Sequence, residues 1–392
     1  MKDIVIIDGA RTAIGSFGGS LKDFPVTDLG AIVIEEALKR SGVKKEDVDE
    51  VVMGCVGQVA EDAFMARRCA IKAGIPATTS TAYTVNRLCS SGLQAIVTGA
   101  MAIEAEDAEI VVAGGAESMN NLPYYVRKAR FGLRMGDSVL EDGLVTSLTD
   151  PFSGKHMGIT AENVAEKYHI SRKDQDQFAL ESQQKAAKAV ADGVFRDEIV
   201  PVTVKRKKEE FVFDTDEHIR ANTTLEKLAS LRPAFKEGGT VTAGNASGIN
   251  DGAGAVVMMT AEKAEEMGLE PKLRLVAYAA AGVEPSLMGT GPIPSVKKAL
   301  KRAGLNIGDM DIIELNEAFA AQALCCIREL GMDVSKVNPH GGAIAMGHPI
   351  GGTGAILTVK LMYDMMKSGA KYGMETLCIG GGQGLTMIYE RI

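Results

Sequence analysis

The segment "ALKRSGVKKEDVDEVVMG" at residues 37–54 returns as "ALKRAGLNIGDMDIIELN" at residues 299–316, an offset of 262. Ala, Leu, Lys, Arg, Gly and two Asp match in register, with Gly42 over Gly304, Asp47 over Asp309 and Asp49 over Asp311. Each copy reads as an amphipathic helix stopped by a glycine, which takes a left-handed cap without steric cost. A short polar link and an apolar strand follow. The likeness continues more weakly, and each half closes on an apolar strand that runs into glycines: "AEIVVAGGAESM" (108–119) and "METLCIGGGQGLTMI" (374–388). Alternating strands and helices imply a mostly parallel sheet covered by helices. Two copies imply two similar α/β halves about a pseudo-twofold axis. The expected division is 1–119 plus 250–270 for the first half, 120–249 for an insertion and 271–392 for the second half.

The insertion carries helix signals. "TAENVAEKYHI" begins on a Thr cap, and "SRKDQDQFALESQQKAAKAVADG" has a Ser-x-x-Asp start and a Gly stop. The run "KRKKEE" (205–210) reads as a solvated turn between two short strands.

Composition removes several function classes. A net charge of −8 argues against a nucleic-acid partner, since neutralising phosphates needs a basic surface. The absence of Trp leaves little platform for stacking bases. The N-terminal apolar run is broken by Asp8 and Arg11, and no later stretch is long enough to span a bilayer, so no membrane is expected. The cysteines, at 55, 69, 89, 325, 326 and 378, lack zinc-ligand spacing and are too sparse for a disulfide framework. A reducing cytoplasm is the expected compartment.

Four residues stand out as reactive candidates. Cys89 precedes the helical pattern "SSGLQAIVTGAMAIEAEDA", whose free N–H groups would favour a thiolate; the alternative is a buried structural thiol. His348 lies in "NPHGGAIAMGHPIGGTGAI" (338–356), where small residues let backbone approach a ligand; the alternative is a surface-loop histidine. His340, in the same stretch, reads as structural. Cys378 ends an apolar strand at "CIGGGQG", where open α/β sheets place their sites and glycine N–H groups can face an anion. Its alternative is a buried strand cysteine ahead of a tight turn. That glycine run lacks a Walker lysine and does not fit GxGxxG, so a nucleotide loop is not indicated. Asn316 opens a helix at "ELNEAFAAQAL", either as a plain N-cap or as a functional amide standing where the first copy has Gly54.

In order along essentially the whole chain, NRLCSSGLQAI, GGAESM, HMGITAENVAEKY, TAGNASGINDGA, NEAFAAQ, GGAIAMGHPIGGTGA and LCIGGGQG resemble the thiolase family, specifically its biosynthetic branch. The resemblance implies an α/β fold of two duplicated βαβαβαββ halves in a layered α/β/α/β/α core, with 120–249 as an inserted CoA-binding loop domain. It implies condensation of two acetyl-CoA to acetoacetyl-CoA and CoA, reversibly and by a ping-pong route. Cys89 would be the nucleophile, His348 its activator and Cys378 the acid/base for the α-proton. Asn316 would hold a water and join His348 in one oxyanion site, and the N–H groups of Cys89 and Gly380 would form the other. Leu148, His156 and Met157 would border the pantetheine and acyl pocket, with Arg220 and Phe235 at the adenine end. Ala243 and Ser247 would touch pantetheine, and Met288, Ala318 and Phe319 would complete the acyl pocket.

The resemblance further implies no metal and no cofactor beyond the CoA thioester substrates, and a homotetramer built as a dimer of dimers. The alternatives are a degradative 3-ketoacyl-CoA thiolase of broader chain length and a non-catalytic acyl-CoA or lipid carrier. Two departures from the family pattern are Ile356, where an arginine usually follows GTGA, and the Pro339–His340 pair. The adjacent Cys325 and Cys326 read as packing, since a bridge between neighbours strains disulfide geometry. If Cys89 and Cys378 face one pocket, oxidation could join them and switch the protein off; unchanged activity and two free thiols after oxidant would rule this out.

Overall fold

The computed structural model describes residues 2–206 and 209–392. In the first half, β1 (Ile4–Thr12) leads to α1 (Val26–Ser41), then β2 (Glu50–Gly54), α2 (Met65–Lys72), β3 (Thr81–Val85), α3 (Ser91–Glu104) and β4 (Val111–Ser118). The inserted segment holds α4 (Met157–Lys167) and α5 (Arg172–Ala191), and the chain returns to the sheet as β5 (Asn250–Thr260). The second half runs β6 (Leu273–Gly282), α6 (Pro292–Ala303), β7 (Ile312–Leu315), α7 (Ala320–Leu330), α8 (Thr353–Ser368), β8 (Tyr372–Ile379) and β9 (Gln383–Arg391). Hydrogen bonds order the strands β7-β8-β9-β6-β1-β5-β4-β2-β3, with the halves joined where Val5 and Ile6 meet Arg274 and Leu273.

The sheet is mixed, which corrects the expectation of a mostly parallel one. Strands linked by crossover helices are parallel, as β2 is to both β3 and β4, and β7 is to β8. Near the middle the strands are antiparallel. The long insertion brings β5 back against β4 in reverse, and a tight glycine turn reverses β8 into β9. A hairpin needs only a tight turn, whereas parallel neighbours need a crossover.

Strand alternation builds the layers. On β1, Val5 and Ile7 face α1 and α2 and pack with Leu29, Val33 and Met65. Ile4 and Ile6 point the other way, into a core shared with Leu93 and Ile96 of α3 and Leu357 and Leu361 of α8. Leu377, Ile379 and Leu385 of the second half close that same core from its far side. Met374 and Ile388 turn outward onto Val296 and Leu300 of α6 and Ile327 of α7. The result is helix, sheet, helix, sheet, helix, with α3 and α8 in the central layer.

The repeated residues do the same work twice. Gly42 and Gly304 end α1 and α6 at φ 74° and 68°. The Asp49 carboxylate accepts from the N–H groups of Glu109 and Ile110, and Asp311 accepts from those of Lys371 and Tyr372. Each aspartate therefore starts the neighbouring strand in register.

Ser171 caps α5 as expected, accepting from Asp174 N. The Thr cap on α4 is corrected: the helix starts earlier, at Met157, and His156 Nδ1 accepts the Gly158 N–H, while Thr160 lies one turn inside. Strands Val202–Arg206 and Glu209–Phe213 pair on either side of the charge run, whose central Lys207 and Lys208 lie outside the described residues. Among the described residues, no helix is long and apolar enough to cross a membrane.

The two central helices meet at their first turns. A Cβ on Gly354 of α8 would fall 2.3 Å from Leu93 N, and one on Gly92 of α3 would fall 2.7 Å from Ala355 N. Gly92 and Gly354 are partners under the repeat offset of 262, so the helices cross on the pseudo-twofold axis. Gly354→Ala should lower the unfolding free energy by about 1–3 kcal/mol or more, as overpacking does, in a urea titration. Gly308→Ala, where a Cβ meets nothing within 4 Å, should stay within about 0.5 kcal/mol of the parent.

Candidate active site

The chain leaves β3 and turns at Leu88–Ser90 before α3 begins. Leu88 has φ 45°, an uncommon conformation for a branched side chain. Ser91 holds it there: its Oγ accepts from Arg87 N at 2.9 Å and donates to Leu88 O at 2.7 Å. This turn presents Cys89, which is partly buried, ahead of the helix. Burial pushes its thiol up to about 11, against the pull of the Gly380 N–H and of its own N–H. The expected resting thiolate is thus corrected: desolvation outweighs two backbone dipoles.

Cys378 closes β8 and is fully buried. Burial raises its thiol well above the usual range, and Cys89 raises it further, so the two sulfurs share one environment. The turn after it contains Gly380. A Cβ there would lie 2.9 Å from Leu88 Cδ1 and 3.1 Å from Met157 Cε, so a larger residue would press on the Cys89 turn.

His348 precedes α8 and is held by three contacts. Its backbone N–H donates to Asn250 Oδ1 at 2.9 Å. Its Nδ1 lies 2.6 Å from Thr353 Oγ1. Thr353 spends its one hydroxyl proton on Pro349 O at 2.8 Å, so it must accept from Nδ1–H. The ring's lone pair is therefore on Nε2, which accepts from Asn316 Nδ2 at 3.5 Å. Burial pushes His348 down to about 4, so the imidazole is neutral at ordinary pH. Asn316 sits just past β7, with its N–H on Thr376 O at 3.0 Å. Its buried Oδ1 has no partner among the described residues.

An apolar wall stands beside these groups. Met157, Met288, Ala318, Phe319 and Cys378 form one cluster, with Phe235 packed against it. His156 stacks on Phe235 at 4.7 Å between ring centroids, and Phe235 meets Phe319 edge-on at 6.2 Å. Leu148 packs beside Cys89 in a neighbouring cluster, and its carbonyl accepts Met157 N–H at 2.8 Å. Ser247 N–H donates to Ala318 O at 3.0 Å. Arg220 and Ala243 are exposed, and Arg220 N–H is held by Gln183 Oε1 at 2.7 Å. The structure thus gathers Cys89, Cys378 and Gly380 with the apolar wall, sets His348 against Asn316, and leaves Arg220 and Ala243 toward solvent.

Three residues with positioning contacts were not singled out from sequence: Thr353, Asn250 and Glu117. The Glu117 carboxylate accepts from Val56 N, Gly57 N and Gly351 N, clasping a loop from each half next to Cys89. Its one sequence signal was a carboxylate among strand glycines in GGAESM; a hydroxyl inside a glycine run was the only hint at Thr353.

The thiolase N-terminal domain family model matches residues 4–262, and the thiolase C-terminal domain model matches residues 269–391. The chain belongs to the thiolase family. It is 52% identical to an acetyl-CoA acetyltransferase of Syntrophomonas wolfei and 52% identical to the beta-ketothiolase BktB of Cupriavidus necator, each match covering all of both chains. The crystal structure of the Bacillus anthracis acetyl-CoA acetyltransferase superposes with a TM-score of 0.98 at 46% identity, covering 100% of this chain and 99% of that one.

For this thiolase the Thr353 contact generates a test. Thr353→Val keeps the side-chain shape but removes the acceptor that fixes the Nδ1–H tautomer. Turnover should fall by about tenfold to a hundredfold, with the substrate KM little changed, in steady-state kinetics. A histidine held down near 4 keeps its neutral, proton-accepting form as pH falls from 8 toward 5. The His348-dependent acid limb of kcat/KM should accordingly lie near pH 4 and not near 6.5. The same shift implies stability lost as pH drops from about 6.5 to about 4, since the unfolded histidine takes up its proton first.

Proposed function

We propose that this chain condenses two acetyl-CoA molecules to acetoacetyl-CoA and CoA, and runs the reverse thiolysis, through an acetyl-Cys89 intermediate. The observation that carries this reading is a pair of thiols in one buried environment, on a chain whose neutral histidine keeps its lone pair on Nε2 beside Asn316. His348 takes the Cys89 proton as the sulfur attacks the thioester carbonyl. The N–H groups of Cys89 and Gly380 receive the developing oxyanion; losing one such donor costs about 2.7–4 kcal/mol in comparable sites. CoA leaves as a thiol, taking the proton of Cys378. Cys378, now a thiolate, removes the α-proton of the second acetyl-CoA and is a thiol again, and the enolate oxygen is held by His348 and an Asn316-bound water. Attack on acetyl-Cys89 forms the carbon–carbon bond, and Cys89 departs as thiolate and recovers its proton from His348. A thiol base is matched to a CoA leaving group, so one residue serves both directions.

His156 would flank the pantetheine together with Phe235, which was expected at the adenine end but stacks on His156 and packs on the cluster that holds Cys378, with Leu148, Ala243 and Ser247 along it. Arg220 would meet the nucleotide phosphates, a local cation on a chain of net charge −8. Met157, Met288, Ala318 and Phe319 crowd Cys378 and favour a short acyl group. The longer-chain alternative is supported by the beta-ketothiolase relative and by the likeness to the human mitochondrial 3-ketoacyl-CoA thiolase structure; turnover of acetoacetyl-CoA against a longer 3-ketoacyl-CoA separates the two.

We further infer a homotetramer. The stretch between the short strands Tyr124–Tyr125 and Glu141–Asp142 exposes Phe131 at 91% and Met135 at 100%, along with Leu133, Val139 and Leu140. That much apolar surface on one loop fits burial against another copy. The cytoplasm fits six free thiols. Light scattering should give a tetramer for the parent and a smaller species for a Phe131→Ser, Met135→Ser double variant.

Intact mass and peptide mapping after mixing with acetyl-CoA test the reaction. A single acetyl group on Cys89 is expected, absent in Cys89→Ser. Cys378→Ala should still acetylate yet fail to condense. A chain that binds CoA thioesters without any adduct would be a carrier instead.

A further inference from the structure

Helix α8 is buried along most of its length, yet it carries a lysine. Lys360 is 0% exposed. Its Nζ donates to Glu314 Oε1 at 2.5 Å and reaches Asp364 Oδ2 at 3.4 Å. Glu314 and Asp364 are buried as deeply. Asp364 in turn lies 3.3 Å from His340, on the loop that leads to His348. Burying charges this way brings little net stability compared with apolar packing, because desolvation offsets the attraction. Such a group calls for another reason to be there.

Its position in the fold suggests one. Helix α8 begins at Thr353, the residue that holds His348 Nδ1. Strand β7 carries Glu314 and ends one residue before Asn316. The Asn316–His348 contact, at 3.5 Å, therefore joins the same two elements that the Lys360–Glu314 ion pair joins deeper in the core. From Lys360 to Thr353 is about 10 Å along the helix. The strand alongside is the parallel neighbour of β8, with Glu314 opposite Glu375 and Leu315 opposite Thr376, and β8 ends at Cys378 and Ile379. One buried pair thus sits between the elements that carry His348, Asn316 and Cys378.

Ile356 of the same helix packs in the apolar core with Ala345 and Met346. Lys360 follows one helical turn later. Among the described residues it is the buried cation of this helix; Lys367, in the last turn, is partly exposed and reaches Asp197.

We propose that Lys360 is a positioning residue for acyl transfer: its ion pair with Glu314 fixes α8 against β7 and so sets the spacing of His348 and Asn316. The proposal rests on the thiolase reading above. Its effect is on kcat, because the enolate site is organised by that spacing, and not on CoA binding, which involves other elements.

The test uses the full-length protein and acetoacetyl-CoA thiolysis, with thermal unfolding measured alongside. Lys360→Met should lower kcat about tenfold or more with KM within about twofold. Burial already pushes the Glu314 carboxyl up to about 7 against the pull of Lys360, so losing the lysine favours its protonated form, while Asp364 keeps His340 as its partner at 3.3 Å. Lys360→Arg, which keeps a cation for Glu314, should recover most of kcat. If Lys360→Met folds poorly, the neutral pair Glu314→Gln with Lys360→Met should regain thermal stability while kcat stays low. Parent-like kcat in Lys360→Met, or kcat returning together with stability in the neutral pair, would overturn the proposal and leave Lys360 structural. A parent protein that turns over no 3-ketoacyl-CoA would instead overturn the functional reading, while an active parent separates the two failures.

Discussion

The crossing of α3 and α8 at Gly92 and Gly354 is the contact on which the rest of the molecule depends. The two backbones approach so closely that neither position has room for a Cβ. Gly115 is needed for the same reason, since a Cβ there would lie 2.3 Å from Gly351 O. The first turns of both helices thereby occupy one spot, with Cys89 ahead of one helix and His348 ahead of the other. The duplication is visible even in the hydroxyls. Ser91 and Thr353 are equivalent first residues of the two helices. Ser91 ties down the Cys89 turn, and Thr353 ties down the His348 ring.

Desolvation is the second organising effect. It raises Cys89 to about 11 and lowers His348 to about 4, so both rest uncharged. A site of this kind keeps no standing ion pair. The N–H groups of Cys89 and Gly380 already act on the Cys89 thiol, and fixed donors of this kind favour a transition state over a ground state when charge develops beside them. Glu117 shows how the scaffold supports this. A buried carboxylate is satisfied by three backbone N–H groups, and in being satisfied it fastens the two loops beside Cys89.

Much of this was legible in the chain itself. The repeat foretold the two halves, and its conserved-in-register Gly42/Gly304 and Asp49/Asp311 prove to be helix caps and strand clamps. Motif by motif, the candidate residues Cys89, His348, Cys378, Gly380 and Asn316 could be named. The mostly parallel sheet was misjudged because strand direction depends on how connections return, and a 130-residue insertion between β4 and β5 hides that return. The α4 cap was misplaced because a histidine side chain can accept the N–H that Thr160 appeared to claim.

What the sequence determined alone was local and periodic: helix ends set by glycine, faces set by apolar spacing, and the order of the chemical groups along the chain. These follow from short-range sterics and solvent preference, which act within a few residues. What only the tertiary structure decided was which of those groups meet and in what state. The tautomer of His348 depends on a proton that Thr353 gives to Pro349. The charge on Cys89 depends on burial by segments hundreds of residues away. The buried cation of α8 has its partner on a strand, 46 residues earlier in the chain. Electrostatics and desolvation are set by everything packed around a group, so they come into being only when the chain has folded.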